Sequence, residues 1–330
     1  MPETLDPLKA QAAQAVGRKH EKFEHLLARA QRHPPLVTAV VHPCDAVSLD
    51  SAVEAARLRL IEPILVGPAA RLAELAAAAK LDLSPFEQVD SAHSHDSAAK
   101  AVGLVRAGRA EALMKGSLHT DELMGAVVAR DTGIRTERRI SHCFIMDVPG
   151  HPTPLVVTDA AVNINPTLED KVHIVQNAID MALVLTEQKG EGVVKVAILS
   201  AMETVNPKVP STLEAAALCK MVDRGQIKGA LIDGPLALDN AISPEAAAIK
   251  GIVSPVAGHA NVLVVPDLEA GNMLAKCMSF LADADAAGIV LGARVPIILT
   301  SRADAKLTRL ASCAVASLLG AARRTTAAIV

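Results

Sequence analysis

The densest grouping of reactive side chains is Thr300-Ser301-Arg302-Ala303-Asp304, where a hydroxyl, a guanidinium and a carboxylate follow one another at the end of the β-like run VPIILTSR (295–302). A hydroxyl and an arginine can hold negative charge as it grows on a carbonyl oxygen, and a carboxylate can take a proton. The same residue types also suit a helix start, with Ser301 as cap and Arg302–Asp304 as a local ion pair. Met114-Lys115-Gly116, followed by His119 and Thr120, offers a cation, pliable backbone and helix-start amides, a combination suited to phosphate. Lys115 can equally be a solvated charge. Arg135, Arg138 and Arg139 share the loop GIRTERR (133–139), either an exposed basic patch or the lining of a phosphate pocket. Arginine suits the second role because its planar fork can bind two oxygens at once.

Three further strand-to-helix corners carry candidate ligand groups. DAAVNINPTLEDK (159–171) presents Asn163 and Asn165, short amides that either hold a turn or bind a ligand. Asp233-Gly234-Pro235 is followed by Asp239-Asn240, and VVPDLEAGNMLAK (264–276) carries Gly271 and Asn272 at a helix start. Each alone reads as readily as a turn and cap. All three lie at strand carboxyl ends, where α/β folds place their ligands. No GxGxxG, GxxxxGK[ST], GxSxG or HExxH pattern occurs, so dinucleotide, P-loop, hydrolase-triad and zincin chemistry lack their usual support.

These corners need a scaffold, and the hydrophobic pattern supplies one. Short β-branched runs alternate with stretches of helical period, the signature of a mostly parallel sheet with crossover helices. LVTAVVHP (36–43), EPILVGP (62–68) and EALMKGS (111–117) read as first-unit strands, and VVKVAILSA (193–201), GALIDGP (229–235), ANVLVVPDL (260–268) and AGIVLG (287–292) as second-unit strands. SHCFIMDVP (141–149) and TPLVVTDAAV (153–162), joined by Pro149-Gly150-His151-Pro152, read as an antiparallel hairpin. Helices are expected to open at Thr167, at Ser211 with Glu214 in capping-box spacing, and at Ser243 ahead of Pro244. The last strand feeds a long Ala/Leu-rich helix to about Arg323, expected to dock back onto the first domain. The expected division is therefore residues 1–155 with 298–330 as one α/β domain and 156–297 as the other.

Composition narrows the function classes. The chain has 330 residues, a formal net charge of −3 and dispersed Lys and Arg, so the basic footprint of a nucleic-acid binder is missing. Four Phe, no Trp and no Tyr leave no stacking platform for bases and require cores of Ala, Leu, Val and Ile. The five cysteines, Cys44, Cys143, Cys219, Cys277 and Cys313, are scattered and odd in number, reading as reduced core residues. The first thirty residues carry charges throughout with no apolar stretch of a signal peptide, and no run approaches a membrane span. A cytoplasmic location is expected.

At these same corners the sequence resembles the phosphate acetyl/butyryltransferases, through MKGSLHTDEL, RRISHCFIMDVPG, TDAAVNINPTLEDK, ETVNPKVPSTLEAAALCKM, DGPLALDNA, AGHANVLVVPDLEAGNMLAK and TSRAD. The resemblance implies two α/β domains of the isocitrate/isopropylmalate dehydrogenase-like fold, usually dimeric, with the active site in the cleft between them. It also implies reversible transfer of an acyl group between acyl-CoA and phosphate, with coenzyme A as substrate and no metal or other cofactor. Carried over by residue, the serine–arginine pair falls on Ser301 and Arg302, and a second phosphate-contacting arginine on Arg139. Acetyl-type members place their aspartate six residues after the arginine, where this chain has Thr308; Asp304, as in the butyryl type, is the candidate base. Lys115, Gly116, Asn163, Asp233, Asn240, Gly271 and Asn272 complete the expected phosphate- and CoA-binding set. The same blocks occur in longer proteins with a hydratase-like domain in front, which is not expected ahead of the first strand here. The alternatives are a decarboxylating dehydrogenase on the same fold, disfavoured because the chain lacks the Tyr such enzymes use, a non-catalytic CoA-binding protein, and an acyl-carrier-protein acyltransferase.

Overall fold

A computed structural model describes residues 20–186, 193–300 and 305–325. In chain order its elements are α1 (Glu21–Ala30), β1 (Leu36–Val41), α2 (Ala46–Arg57), β2 (Ile61–Gly67), α3 (Ala69–Ala79), β3 (Glu87–Asp90), α4 (Ser94–Arg106), β4 (Ala112–Lys115), α5 (Thr120–Val128), β5 (Ser141–Asp147) and β6 (Leu155–Thr158). There follow α6 (Leu168–Leu185), β7 (Lys195–Leu199), α7 (Pro210–Asp223), β8 (Leu231–Leu236), α8 (Leu238–Ile242), α9 (Pro244–Ile249), β9 (Val262–Val264), α10 (Leu268–Leu281), β10 (Asp285–Leu291), β11 (Ile297–Ile298) and α11 (Lys306–Thr325). Among the described residues eleven strands form one sheet, ordered β3-β2-β1-β4-β11-β10-β5-β6-β9-β7-β8.

The sheet is two parallel blocks joined by an antiparallel centre. β3, β2, β1, β4 and β11 run parallel, as do β6, β9, β7 and β8. Between them β10 pairs antiparallel with both β11 and β5, and β5 with β6 makes the expected hairpin, Cys143 opposite Thr158 and Met146 opposite Leu155. Parallel strands covered on both faces must be apolar throughout rather than alternating. β4 and β6 accordingly have no exposed residue.

Three local expectations change. The run at 287–292, assigned to the second unit, lies as β10 between β11 and β5, because its apolar residues fill the seam between the blocks. In the last strand, read over 295–302, the described residues (295–300) pair as a strand at Ile297 and Ile298. Ser211 is not a helix cap. Pro210 takes the first helical position of α7 after Val209; the Ser211 hydroxyl bonds Ser200, and Glu214 pairs with Lys171. Proline's fixed φ and missing N–H favour that first position, which displaces the serine. Thr167 and Ser243 do cap α6 and α9, from Asp170 N and Ala246 N.

The core is aliphatic, as four Phe require, and Phe23 is its one fully buried aromatic among the described residues. α11 is buried from Leu310 to Ala321 and packs against α1, β10 and β1, which returns the end of the chain to the first block. Among the described residues no helix is long and apolar enough to cross a membrane.

Candidate active site

The loop between α5 and β5 gathers the arginines. Thr136 donates its hydroxyl to Gly292 O at 2.6 Å and accepts from Arg138 N at 3.0 Å, which pins the loop against the end of β10. Arg135, Arg138 and Arg139 then line one cleft of about 480 Å³. α5 contributes Met124 and Val128, the chain after β6 contributes Val162 and Asn163, and the first turns of α6 contribute Glu169, Asp170 and His173. The basic loop is the wall of a cavity, which favours the phosphate-pocket reading over a solvated patch.

Asn163 organises that wall. It is 4% exposed, and its Oδ1 accepts from Arg139 Nε at 2.8 Å while its Nδ2 donates to Ile140 O at 2.8 Å and to Asp159 Oδ2 at 2.5 Å. Asp159 also accepts the backbone N–H groups of Ala161, Val162 and Asn163, so one carboxylate folds the whole turn after β6. Arg139 also faces Asp170 at 3.5 Å, and its side chain keeps 55% exposure toward the cleft. Burial pushes the Asp170 carboxyl up, but hydrogen bonds from Thr167 and the charges of Arg139 and His173 outweigh it and hold the group below its ordinary range. An anion entering the cleft thus meets a guanidinium already aimed, with an ionised carboxylate behind it.

Asn177, on α6, steadies the same loop from beneath. Its Nδ2 donates to Arg139 O and to Ser141 Oγ, both at 2.9 Å, and its Oδ1 accepts from Arg138 Nη1 at 3.4 Å. Arg138 also pairs with Asp180 at 3.3 Å. Even so, burial raises the Asp180 carboxyl above its usual range, since desolvation exceeds what one arginine and Gln176 return.

Of the expected site residues, Arg139 and Asn163 meet directly, and two more buttress them. Asn272 donates to Ala160 O at 3.2 Å, and a Cβ at Gly271 would stand 2.9 Å from Ala160 Cβ, so the start of α10 presses on the 159–163 turn. Lys115 is buried at the end of β4, with its Nζ donating to Gly116 O at 3.3 Å, so it is not a solvated charge. Gly116 hydrogen-bonds Val41 O, across the tip of β1. Asp233 and Asn240 stand apart, on and after the edge strand β8: Asp233 accepts from Gly234 N, and Asn240 donates to Glu203. Ser301, Arg302 and Asp304 lie outside the described residues. β11 leads toward them beside β4, with Ile298 opposite Met114.

Reading the residues had not singled out Asp159, Asp170, Asn177 or His142. Asp159 and Asn163 sit four apart in a segment already marked as a ligand corner, and Asn177 is an amide on an otherwise buried helix face, a signal that points to a partner. His142 is hidden in β5, 1% exposed, its ring edge-on to Phe144 at 4.3 Å. Burial pulls its pKa down to about 4 against an opposing pull from Asp159, so it is neutral at pH 7.

Comparison with known proteins places this geometry. The family described as phosphate acetyl/butaryl transferase matches residues 73–317. The chain is 64% identical to a phosphate acetyltransferase of Rhizobium meliloti, over 92% of this chain and 95% of that protein. It is 40% identical to a phosphate butyryltransferase of Clostridium beijerinckii, over 91% of this chain and 98% of that one. Its fold is similar to the crystal structure of a branched-chain phosphotransacylase from Enterococcus faecalis V583, with a TM-score of 0.72, 28% identity and coverage of 86% and 99%.

Proposed function

Because this chain belongs to the phosphate acetyl/butyryl transferase family and is a phosphate acyltransferase, we propose that it exchanges an acyl group between coenzyme A and inorganic phosphate at the arginine cleft between α5 and α6. The observation that carries this reading is Arg139, held at Nε by a buried asparagine while half its side chain stays open to the cleft. A guanidinium fixed in this way loses little freedom when it takes two oxygens of a phosphate.

Toward acyl-CoA, the thiolate of coenzyme A attacks the carbonyl carbon of the acyl phosphate, the carbon–oxygen bond to phosphate breaks, and phosphate leaves with the bond's electrons. Arg139, with Arg135 and Arg138 around it, takes the growing charge on phosphate. Ser301 and Arg302 stabilise the carbonyl oxygen, and Asp304 accepts the thiol proton, since the thiolate is the nucleophile. Lys115 and Gly116 at the end of β4 provide further anion contacts, and Asp233, Asn240, Gly271 and Asn272 contacts to coenzyme A. The reaction requires no metal. The protein acts in the cytoplasm as a homodimer, and the apolar side chains that α10 leaves outside, Met273, Phe280 and Leu281, support pairing of two copies through this helix.

The test is thiol release from acetyl- and butyryl-CoA by the purified protein, with and without phosphate or arsenate, in chelator. Phosphate-dependent release, lowered far more in kcat than in KM for CoA by Asp304→Asn, is the expected result. Release from neither thioester would overturn the reading.

A further inference from the structure

The cleft has a second wall with a different chemistry. Beside the arginines the cleft is lined by Met124 and Val128 of α5, Ile140 ahead of β5, and Val162. Met124, Val162 and Leu299 pack, partly buried, against the same apolar core beneath β1, β4 and β11. One apolar surface therefore runs from the arginine loop to the end of β11. Val162 is fixed on it: its N–H donates to Asp159 Oδ1 at 3.0 Å, and the next residue, Asn163, holds Arg139. Met124 is the adaptable part, an unbranched thioether chain at the margin of the buried face of α5 that Leu123 and Val127 anchor.

Chemistry dictates what meets such a wall. In an acyl phosphate the carbon next to the carbonyl lies only two bonds from the oxygen that bridges to phosphorus. Once arginines hold the phosphoryl group, the chain has to lie against whatever borders them. We propose that Met124 and Val162 form the acyl-chain wall of the site and set the chain length it accepts. This rests on reading the cleft as the acyl-transfer site. Val162, anchored to the anion-holding turn, meets the carbons next to the carbonyl. Met124, farther out and flexible, meets the end of a longer chain.

The experiment is kcat/KM for acetyl-, propionyl- and butyryl-CoA with saturating phosphate, for the wild type and for Met124→Ala, Met124→Phe and Val162→Ala. Shortening the wall should raise the butyryl-to-acetyl ratio about tenfold and Met124→Phe should lower it about as much, the scale expected for one or two methylenes in an apolar pocket. KM for phosphate should stay within about twofold, because no anion contact is removed. Met124 is only partly buried at the margin of the core, thermal unfolding checks that both variants keep the fold, and their opposite shifts exclude a general loss of activity. A ratio unmoved in both Met124 variants of an active enzyme overturns this inference and leaves the acyltransfer reading intact. A wild type that releases no thiol from any of the three thioesters overturns both.

Discussion

Arg139 and Asn163 are joined by a 2.8 Å hydrogen bond from Nε to Oδ1, bridging the entrance of β5 and the exit of β6 at the same end of the hairpin. The hairpin turn, at residues 148–154, lies at the other end. The antiparallel pair therefore returns the chain to its starting edge and brings an arginine and an amide, distant in sequence, into contact. Nδ2 of the same amide is committed to Ile140 O and Asp159, which fixes the side chain's orientation and leaves its oxygen as the acceptor for arginine.

Replacing Asn163 with Ala should have two separable effects. The buried Ile140 carbonyl and Asp159 carboxylate each lose a donor, which should cost about 1–3 kcal/mol in stability. Arg139 loses its aim, so KM for phosphate should rise about tenfold or more while KM for CoA moves little. Thermal unfolding and initial-rate kinetics measure the two effects independently. A variant that loses stability but binds phosphate as before would show that the Asn163 bond is only structural.

Gly116 and Gly103 make a matched pair for testing the tip of β4. A Cβ on Gly116 would lie 2.5 Å from Val41 O and 2.6 Å from His42 O, both backbone atoms that cannot rotate away. A Cβ on Gly103, inside α4, meets nothing within 4 Å. Gly103→Ala should therefore stabilise the protein, by up to about 1 kcal/mol through helix propensity. Gly116→Ala should destabilise it by about 1–3 kcal/mol and displace Lys115. Equal melting temperatures for the two variants would contradict the packing at β4.

Much of the scaffold is legible in the residues because its signals are local. The hairpin announces itself by two β-branched runs around Pro149-Gly150-His151-Pro152, and the caps Thr167 and Ser243 by side chains that satisfy orphan amides. β10 misled because AGIVLG carries no mark of strand direction or neighbour; its place follows from pairing with β5, far away in sequence. In the site, the loop of arginines was visible as a charge cluster, but its role required the cavity. Asn177 acts through a backbone carbonyl of another segment, and no spacing rule encodes such a contact. Asp159 instead folds its own turn through the N–H groups that follow it, a local pattern that residue type alone does not separate from any other turn aspartate.

The apolar face of α10 supports a prediction about assembly. Phe280 and Leu281 are 85% and 83% exposed, an unusual state for large apolar side chains next to one another. Phe280→Asp should convert a dimer into a monomer in sedimentation at micromolar concentration, with the far-ultraviolet spectrum unchanged because the residue makes no part of the monomer's core. A wild type that sediments as a monomer, or a variant that stays dimeric, would remove this face from the interface.

His142 should make the fold sensitive to mild acid. Its pKa in the folded chain is held near 4 by burial, against an ordinary value of 6.5, and its Nδ1 is buried without a hydrogen-bond partner. The unfolded chain therefore binds a proton that the folded chain refuses between pH 6.5 and 4. Stability must then rise with pH across that window: the contribution is complete above pH 6.5 and lost as pH falls toward 4. The pKa difference is worth up to about 3 kcal/mol. Aspartates held below their ordinary range, such as Asp170, also lose their contribution in acid, so the wild-type profile alone does not isolate the histidine. His142→Gln does, because glutamine stays neutral throughout. Urea unfolding at intervals from pH 4 to 7 should give a flatter profile for the variant than for the wild type, the two curves separating below pH 6.5. Parallel curves would mean that His142 takes up its proton without unfolding, through an opening of the seam between β5 and β10 that the packed ring does not present.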